Sequence, residues 1–368
     1  MSIDDTYLLS LLTDLVNIPS VFPREAEVMS FLEQVLVDIG LPVEHLPISE
    51  GRFNLLASIG KGSPVLCLNA HADTVPPSGS STSEAHVEGN LLYGLGSADD
   101  KASIAAMITA VRAIHNSSAQ LNGRLDILIS VDEEGDAMGV RTAVEQGYRC
   151  DIALVGEPTE LEIVRAHCGL IFLDLITYGK SAHGSMPFEG VNAIDMACEL
   201  VAGLRSIVTG YEPHPLLGPP SLNLGVISGG DRPNRVPDRC EASVDIRLVP
   251  PMTDTLVLEK IAAYFQGWSG RAEYKVTKRG GPLDTPAESP IVGTLHSVIE
   301  EVLDTAPRIA SWRGWTEAES LHGQLGIDTV VFGPGSLKQA HSGNEFVDLR
   351  QVRAAARIYA ETALRLLQ

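Results

Sequence analysis

The sequence predicts an α/β protein, a mostly parallel sheet flanked by helices, into which a smaller α+β unit is inserted. Three observations carry that expectation. Up to residue 155, short β-branched runs bounded by Gly, Pro, Asn or Asp alternate with helical segments, the pattern of strand–helix–strand units. After Gly169 the texture changes to longer strand and helix pieces of hairpin type, and after Gly280-Gly281-Pro282 it changes back. The length, 368 residues, exceeds what one hydrophobic core usually serves. The expected division is one domain made of 1–169 plus 282–368 and an inserted domain spanning 170–281.

Taken in order, two amphipathic helices open the chain at about 4–16 and 24–39, the second stopped by Gly40 and Pro42. Strands are expected at 54–59, 65–69, 125–131 and 152–155. Residues 101–114 are apolar almost all round, broken by Ser103, Thr109 and Arg112, so they predict a helix packed deep against the sheet. The insert reads as a strand at 170–177, a helix at 191–208, strands at 221–227 and 241–248, and a helix at 254–265. A strand at 329–332 follows. The last helix sets Leu349, Val352, Ala356, Tyr359, Ala363 and Leu366 on one face. Residues 78–83 read as a short flexible loop, and there is no internal repeat.

Composition excludes several classes. With 44% hydrophobic and 20% charged residues the chain is neither disordered nor fibrous, and no apolar run approaches the ~18 residues of a membrane span. A net charge of -20 opposes nucleic acid and anionic membranes over long range, so neither is expected as a partner. The opening Met1-Ser2-Ile3-Asp4-Asp5 is acidic where an export signal is basic, and Asp14 interrupts the nearby apolar stretch; a cytoplasmic location is expected. Five scattered cysteines without a C-x-x-C pair argue against a disulfide framework and a thiolate zinc site, and are read as reduced core residues.

The chemistry-bearing residues cluster after strands. Val65 to Val75 runs from a buried strand into His71 and Asp73, two apart and so pointing the same way on extended chain. Such a carboxylate can fix the tautomer of a metal-binding imidazole, although a strand-end histidine is commonly structural. Tyr93 to Lys101 is a glycine-rich turn delivering Asp99 and Asp100 to the start of the buried helix. It lacks the third glycine of a dinucleotide fingerprint, and the acids could simply cap the helix. Asp132-Glu133-Glu134-Gly135 follows another hydrophobic strand; alternating directions would send the two glutamates to different targets, unless the turn is merely solvated. Gly156-Glu157-Pro158-Thr159 adds an acid, and Lys338 to Glu345 adds His341. Two histidines and several carboxylates at successive strand ends form a donor set suited to zinc, cobalt or manganese.

In sequence order, HADTV, G-x-G-x-x-D-D-K, DEEG, GEPT, SAHGSMP and GPGSLKQAHSGNE resemble a family of zinc-dependent deacylases and carboxypeptidases across essentially the whole chain. The family includes acetylornithine deacetylase, succinyl-diaminopimelate desuccinylase and glutamate carboxypeptidase. The resemblance implies a zinc exopeptidase-like catalytic domain, a ferredoxin-like insert that serves as dimerisation domain and lid, and two divalent ions, zinc foremost. His71 and Glu157 would hold the first ion, Glu134 and His341 the second, and Asp99 would bridge both, with the Asp99–Asp100 peptide usually cis. Asp73 would orient His71, and Glu133 would be the general base acting on the water between the ions. His183 would cross a homodimer interface to the partner's active site, while Asn234 and Arg247 would hold a substrate carboxylate.

A glutamate in GEPT, together with Thr316-Glu317-Ala318, leans toward acetylornithine deacetylase-like enzymes of amino-acid metabolism, in arginine or lysine biosynthesis. The expected activity is removal of an acyl group from an N-acyl amino acid. A dipeptidase or carboxypeptidase acting on short peptides is the alternative, and a catalytically silent binding relative the second.

Overall fold

The computed structural model describes residues 1–79 and 84–368; the part of the expected 78–83 loop at 80–83 lies outside the described residues. The chain forms two compact units. One comprises Met1–Arg165, Thr285–Ala310 and Thr316–Gln368, the other Ala166–Asp284 with Ser311–Trp315.

In the first unit, Val65–His71 is buried at every residue, and its first four, Val65 to Leu68, form an apolar run. Such a strand belongs in the middle of a sheet covered on both faces. The strand order is Val43–Ser49, Arg52–Gly60, Arg124–Ser130, Val65–His71, Ile152–Val155, Asp328–Val331, Ile163–His167. The four central strands from Arg124–Ser130 to Asp328–Val331 run parallel; the pairs outside them are antiparallel. Helix Lys101–His115 buries 12 of its 15 residues, packing against Asp5–Asn17 and Leu349–Leu367 as well as the sheet. Its small residues, Ala102, Ala105, Ala106 and Ala110, let those neighbours close in. In the last helix the predicted face is buried, except that Leu367 takes the fully buried place expected of Leu366, which is half-buried.

The second unit is an antiparallel sheet in the order Ser221–Gly229, Arg239–Leu248, Gly169–Tyr178, Arg271–Gly280. Helices Ala193–Thr209 and Asp254–Gly267 pack on it, and the chain order strand, helix, strand, strand, helix, strand is ferredoxin-like. Ile171, Leu173, Leu204, Val244, Ile246 and Ile261 fill the space between. Ser221–Gly229 is an edge strand and leaves Val226 and Ile227 59% and 44% exposed.

All five cysteines are free, but the core reading needs one correction: Cys198 is exposed on helix Ala193–Thr209. Among the described residues no helix is long and apolar enough to cross a membrane.

Candidate metal centre

Three of the parallel strands end in polar residues on the same edge of the sheet, where their carboxyl ends leave a crevice. His71 ends Val65–His71, Glu133 and Glu134 follow Arg124–Ser130, and Glu157 follows Ile152–Val155. His341 lies in the loop after Asp328–Val331, with φ +59°, a left-handed conformation uncommon for residues other than glycine. Asp99 comes from the turn before Lys101–His115, and its peptide bond to Asp100 is cis. Asp100 takes the helix N-cap position but makes no side-chain hydrogen bond to the first turn, so capping does not explain these acids.

The side chains converge. His71, 2% exposed, places Nε2 3.0 Å from Asp99 Oδ1. The other Asp99 oxygen, Oδ2, lies 3.4 Å from His341 Nε2, and that nitrogen is 2.8 Å from Glu134 Oε1. One carboxylate thus faces a histidine with each oxygen. Among the described residues two donor groups result, His71–Asp99–Glu157 and Asp99–Glu134–His341, the donor atoms of each lying within 4.8 Å of one another.

His71 Nδ1 sits 3.1 Å from the Asp73 backbone oxygen and 3.6 Å from its Oδ1, so Asp73 holds the ring by the nitrogen turned away from Asp99. The same carboxylate accepts the backbone N–H of Glu133 at 3.3 Å and of Glu134 at 2.9 Å. Glu133 is buried and stands outside both donor groups.

The electrostatics fit divalent cations. Burial opposes charge on His71, yet Asp73 and Asp99 against its two nitrogens outweigh that and push the imidazole well above its ordinary value. Asp99 and Glu134 push His341 up to about 10. Burial would raise Asp99, but the two histidines hold it below the usual carboxylate range. Burial, reinforced by Asp99 and Glu133, drives Glu157 well above that range. Protons thus balance charge that cations would balance. Hard carboxylate and borderline imidazole donors, without thiolate, are the set that zinc, cobalt or manganese takes.

His183, Asn234 and Arg247 belong to the second unit. His183 is exposed; its Nδ1 lies 2.8 Å from Ser185 Oγ and 3.2 Å from Ser185 N. The Asn234 carbonyl accepts from Gly184 N at 2.8 Å, tying that loop beside His183. Arg247 lies on Arg239–Leu248 and is ion-paired with Asp245 two residues back, Nε to Oδ1 2.9 Å.

One supporting residue escaped sequence reasoning. Glu345, 4% exposed, accepts from the N–H groups of Ala98 at 2.8 Å and Asp99 at 3.1 Å, so it fixes the turn that presents Asp99. Its only sequence signal is an acid at the end of a polar string, which is too common to single out.

Against known proteins, the model of peptidase family M20/M25/M40 matches residues 67–365. The chain is 35% identical to an acetylornithine deacetylase of Proteus mirabilis over 373 aligned positions, covering 95% of this chain and 94% of that one. Among solved structures it resembles aminopeptidase PepT from Bacillus cereus, with TM-score 0.83 at 21% identity over 99% of both chains. It also resembles the Bacillus subtilis YXEP protein, a dinuclear metal binding peptidase from the M20 family, with TM-score 0.73 at 16% identity over 99% of this chain and 98% of that one.

Proposed function

The chain belongs to peptidase family M20/M25/M40 and is a metal-dependent hydrolase of the deacylase type; we propose that it removes the acyl group from an N-acyl amino acid of the acetylornithine kind, at a centre of two divalent ions. The observation that carries this reading is Asp99, whose two oxygens face His71 and His341 on opposite sides. A carboxylate so placed suits a bridge between two ions. His71 and Glu157 would complete one site, Glu134 and His341 the other, with zinc the ion best matched to the donors.

When bound, the ions supply Lewis acidity, polarising the scissile carbonyl and acidifying the attacking water. The rest falls to side chains. Glu133 would take the proton from that water on a carboxylate oxygen and return it to the nitrogen of the leaving amine. Asp73 would keep His71 turned toward its ion while holding the backbone of Glu133 in place. Arg247 and Asn234 would hold the α-carboxylate, the guanidinium matching it in a planar fork once released from Asp245.

The enzyme would act as a homodimer in the cytoplasm. The unpaired edge strand Ser221–Gly229, with Val226 and Ile227 exposed, supports self-association through the second unit. His183 would then serve the centre of the partner subunit, its Nε2–H donating to the oxyanion of the tetrahedral intermediate.

Elemental analysis of the purified protein combined with hydrolysis of acetyl, succinyl and formyl amino acids tests the reading. The expected result is two ions per chain and turnover of N-acyl amino acids. Preference for dipeptides would replace it with the dipeptidase or carboxypeptidase alternative, and no turnover with both ions bound would indicate a silent relative.

A further inference from the structure

The loop 131–138 carries the proposed base and one proposed ligand, Glu133 and Glu134, and contains two non-glycine residues with positive φ, Asp132 at +78° and Ala137 at +56°. Short-range preference alone does not hold such a loop. Its two ends are gripped from behind by groups that no metal role explains. Glu317, 2% exposed, accepts the N–H of Val140 at 3.1 Å through Oε1 and the hydroxyl of Ser130 through Oε2, so one carboxylate spans the residue just before the loop and the second residue after it. Ser130 Oγ in turn lies 3.3 Å from the carbonyl of Ala70 and accepts from Asn69 Nδ2 at 3.2 Å, next to His71. Asn54 makes a second span, accepting from Val131 N at 3.2 Å and donating to Gly139 O at 2.8 Å. There is no slack: a Cβ on Gly139 would stand 2.2 Å from Val131 O and 2.9 Å from Glu317 Oε1.

We infer that Glu317 is a positioning residue for the base and the second metal site: by joining Ser130 to Val140 it sets the loop that presents Glu133 and Glu134. The inference rests on the roles proposed above for those two glutamates. Glutamine preserves the span, because its oxygen can accept from Val140 N–H while its NH2 donates to Ser130 Oγ, whose hydroxyl turns to Ala70 O. Alanine and leucine remove it.

The test measures zinc binding by competition with a chelator, beside kcat and KM on an N-acetyl amino acid, for the parent and for E317A, E317L, E317Q and S130A. Glu134→Gln marks which binding step belongs to the second site. For E317A and E317L the expected result is that step weakened at least tenfold, the other step within threefold, and kcat down at least thirtyfold with KM within threefold. E317Q stays within threefold of the parent throughout. S130A, which deletes a single oxygen, weakens the same step by a smaller factor and reads the anchor even if the larger deletions do not fold. Equal weakening of both steps, or parent-like binding in every variant that folds, overturns the inference. If the parent binds two ions but does not turn over the substrate, the functional reading fails while the binding steps still judge Glu317.

Discussion

Replacing Asp99 by asparagine tests the centre most directly. In the parent, His71 Nε2 meets Oδ1 at 3.0 Å and His341 Nε2 is nearest Oδ2 at 3.4 Å, so each donor group owns one oxygen. Asparagine keeps one oxygen and substitutes an NH2, which has no lone pair to offer a cation. One group keeps three donors; the other falls to an imidazole and a single glutamate. The bound ions should therefore drop from two per chain to one or fewer after dialysis against metal-free buffer. With one Lewis acid gone, kcat/KM on an N-acetyl amino acid should fall at least about 100-fold, roughly 2.7 kcal/mol at 1.36 kcal/mol per tenfold. Elemental analysis and steady-state kinetics on the same sample read both quantities, and circular dichroism checks that the fold is kept. Retention of two ions with unchanged affinities would refute the shared-carboxylate argument, whatever happened to the rate.

Glu133→Gln should keep both ions and lose about 10²–10⁴-fold in kcat, since only proton transfer is removed; near-normal turnover on the metal-loaded variant would exclude Glu133 as the base. His183→Ala should turn over poorly while sedimenting as an intact dimer. Mixed dimers of that variant with Glu133→Ala should regain part of the activity, because one of the two centres is then complete; no recovery would place the histidine's action within its own chain. Burial lifts the Glu317 carboxyl from its ordinary 4.5 to about 7 despite its bonds to Ser130 and Val140. The folded chain therefore holds a proton that the unfolded chain has released. Its stability contribution is full below pH 4.5, declines as the pH rises, and is lost above about 7, a change on the order of 3 kcal/mol. Thermal melts of the metal-free protein at pH 5 and 8 should differ less for Glu317→Gln than for the parent, and an unchanged difference would count against this account.

The sequence exposes what is doubly buried and hides what is half-buried. Val65–His71 and Lys101–His115 are legible because burial on all sides leaves little polar punctuation. Val43–Ser49 was not foreseen because it is the sheet's edge, with Glu44, His45 and Pro47 exposed. Arg271–Gly280 was missed for a related reason: Ala272, Tyr274 and Val276 alternate with exposed Arg271, Glu273 and Lys275, and short alternation with long charged side chains is a weak signal. The passage between units falls inside strand Ile163–His167, where no linker composition marks it, and Ser311–Trp315 returns to the second unit without punctuation. In the centre, the convergence of His71, Asp99, Glu134, Glu157 and His341 was readable from motif order. Glu345 was not, and Glu317 was noticed only as part of Thr316-Glu317-Ala318 and not for its place behind the loop; both act on backbone N–H groups, which every residue type but proline presents alike.

Asp73 leaves the hydrolytic machinery with few independent settings. The same carboxylate steadies the imidazole of His71 and pins the chain at Glu133 and Glu134. A substitution that retilts the histidine to suit a different ion would drag Glu133, the base proposed above, along with it. Drift toward another metal and drift toward another reaction are therefore bound into one step, and natural variation at this enzyme should fall on the groups that select substrate before it touches this linkage.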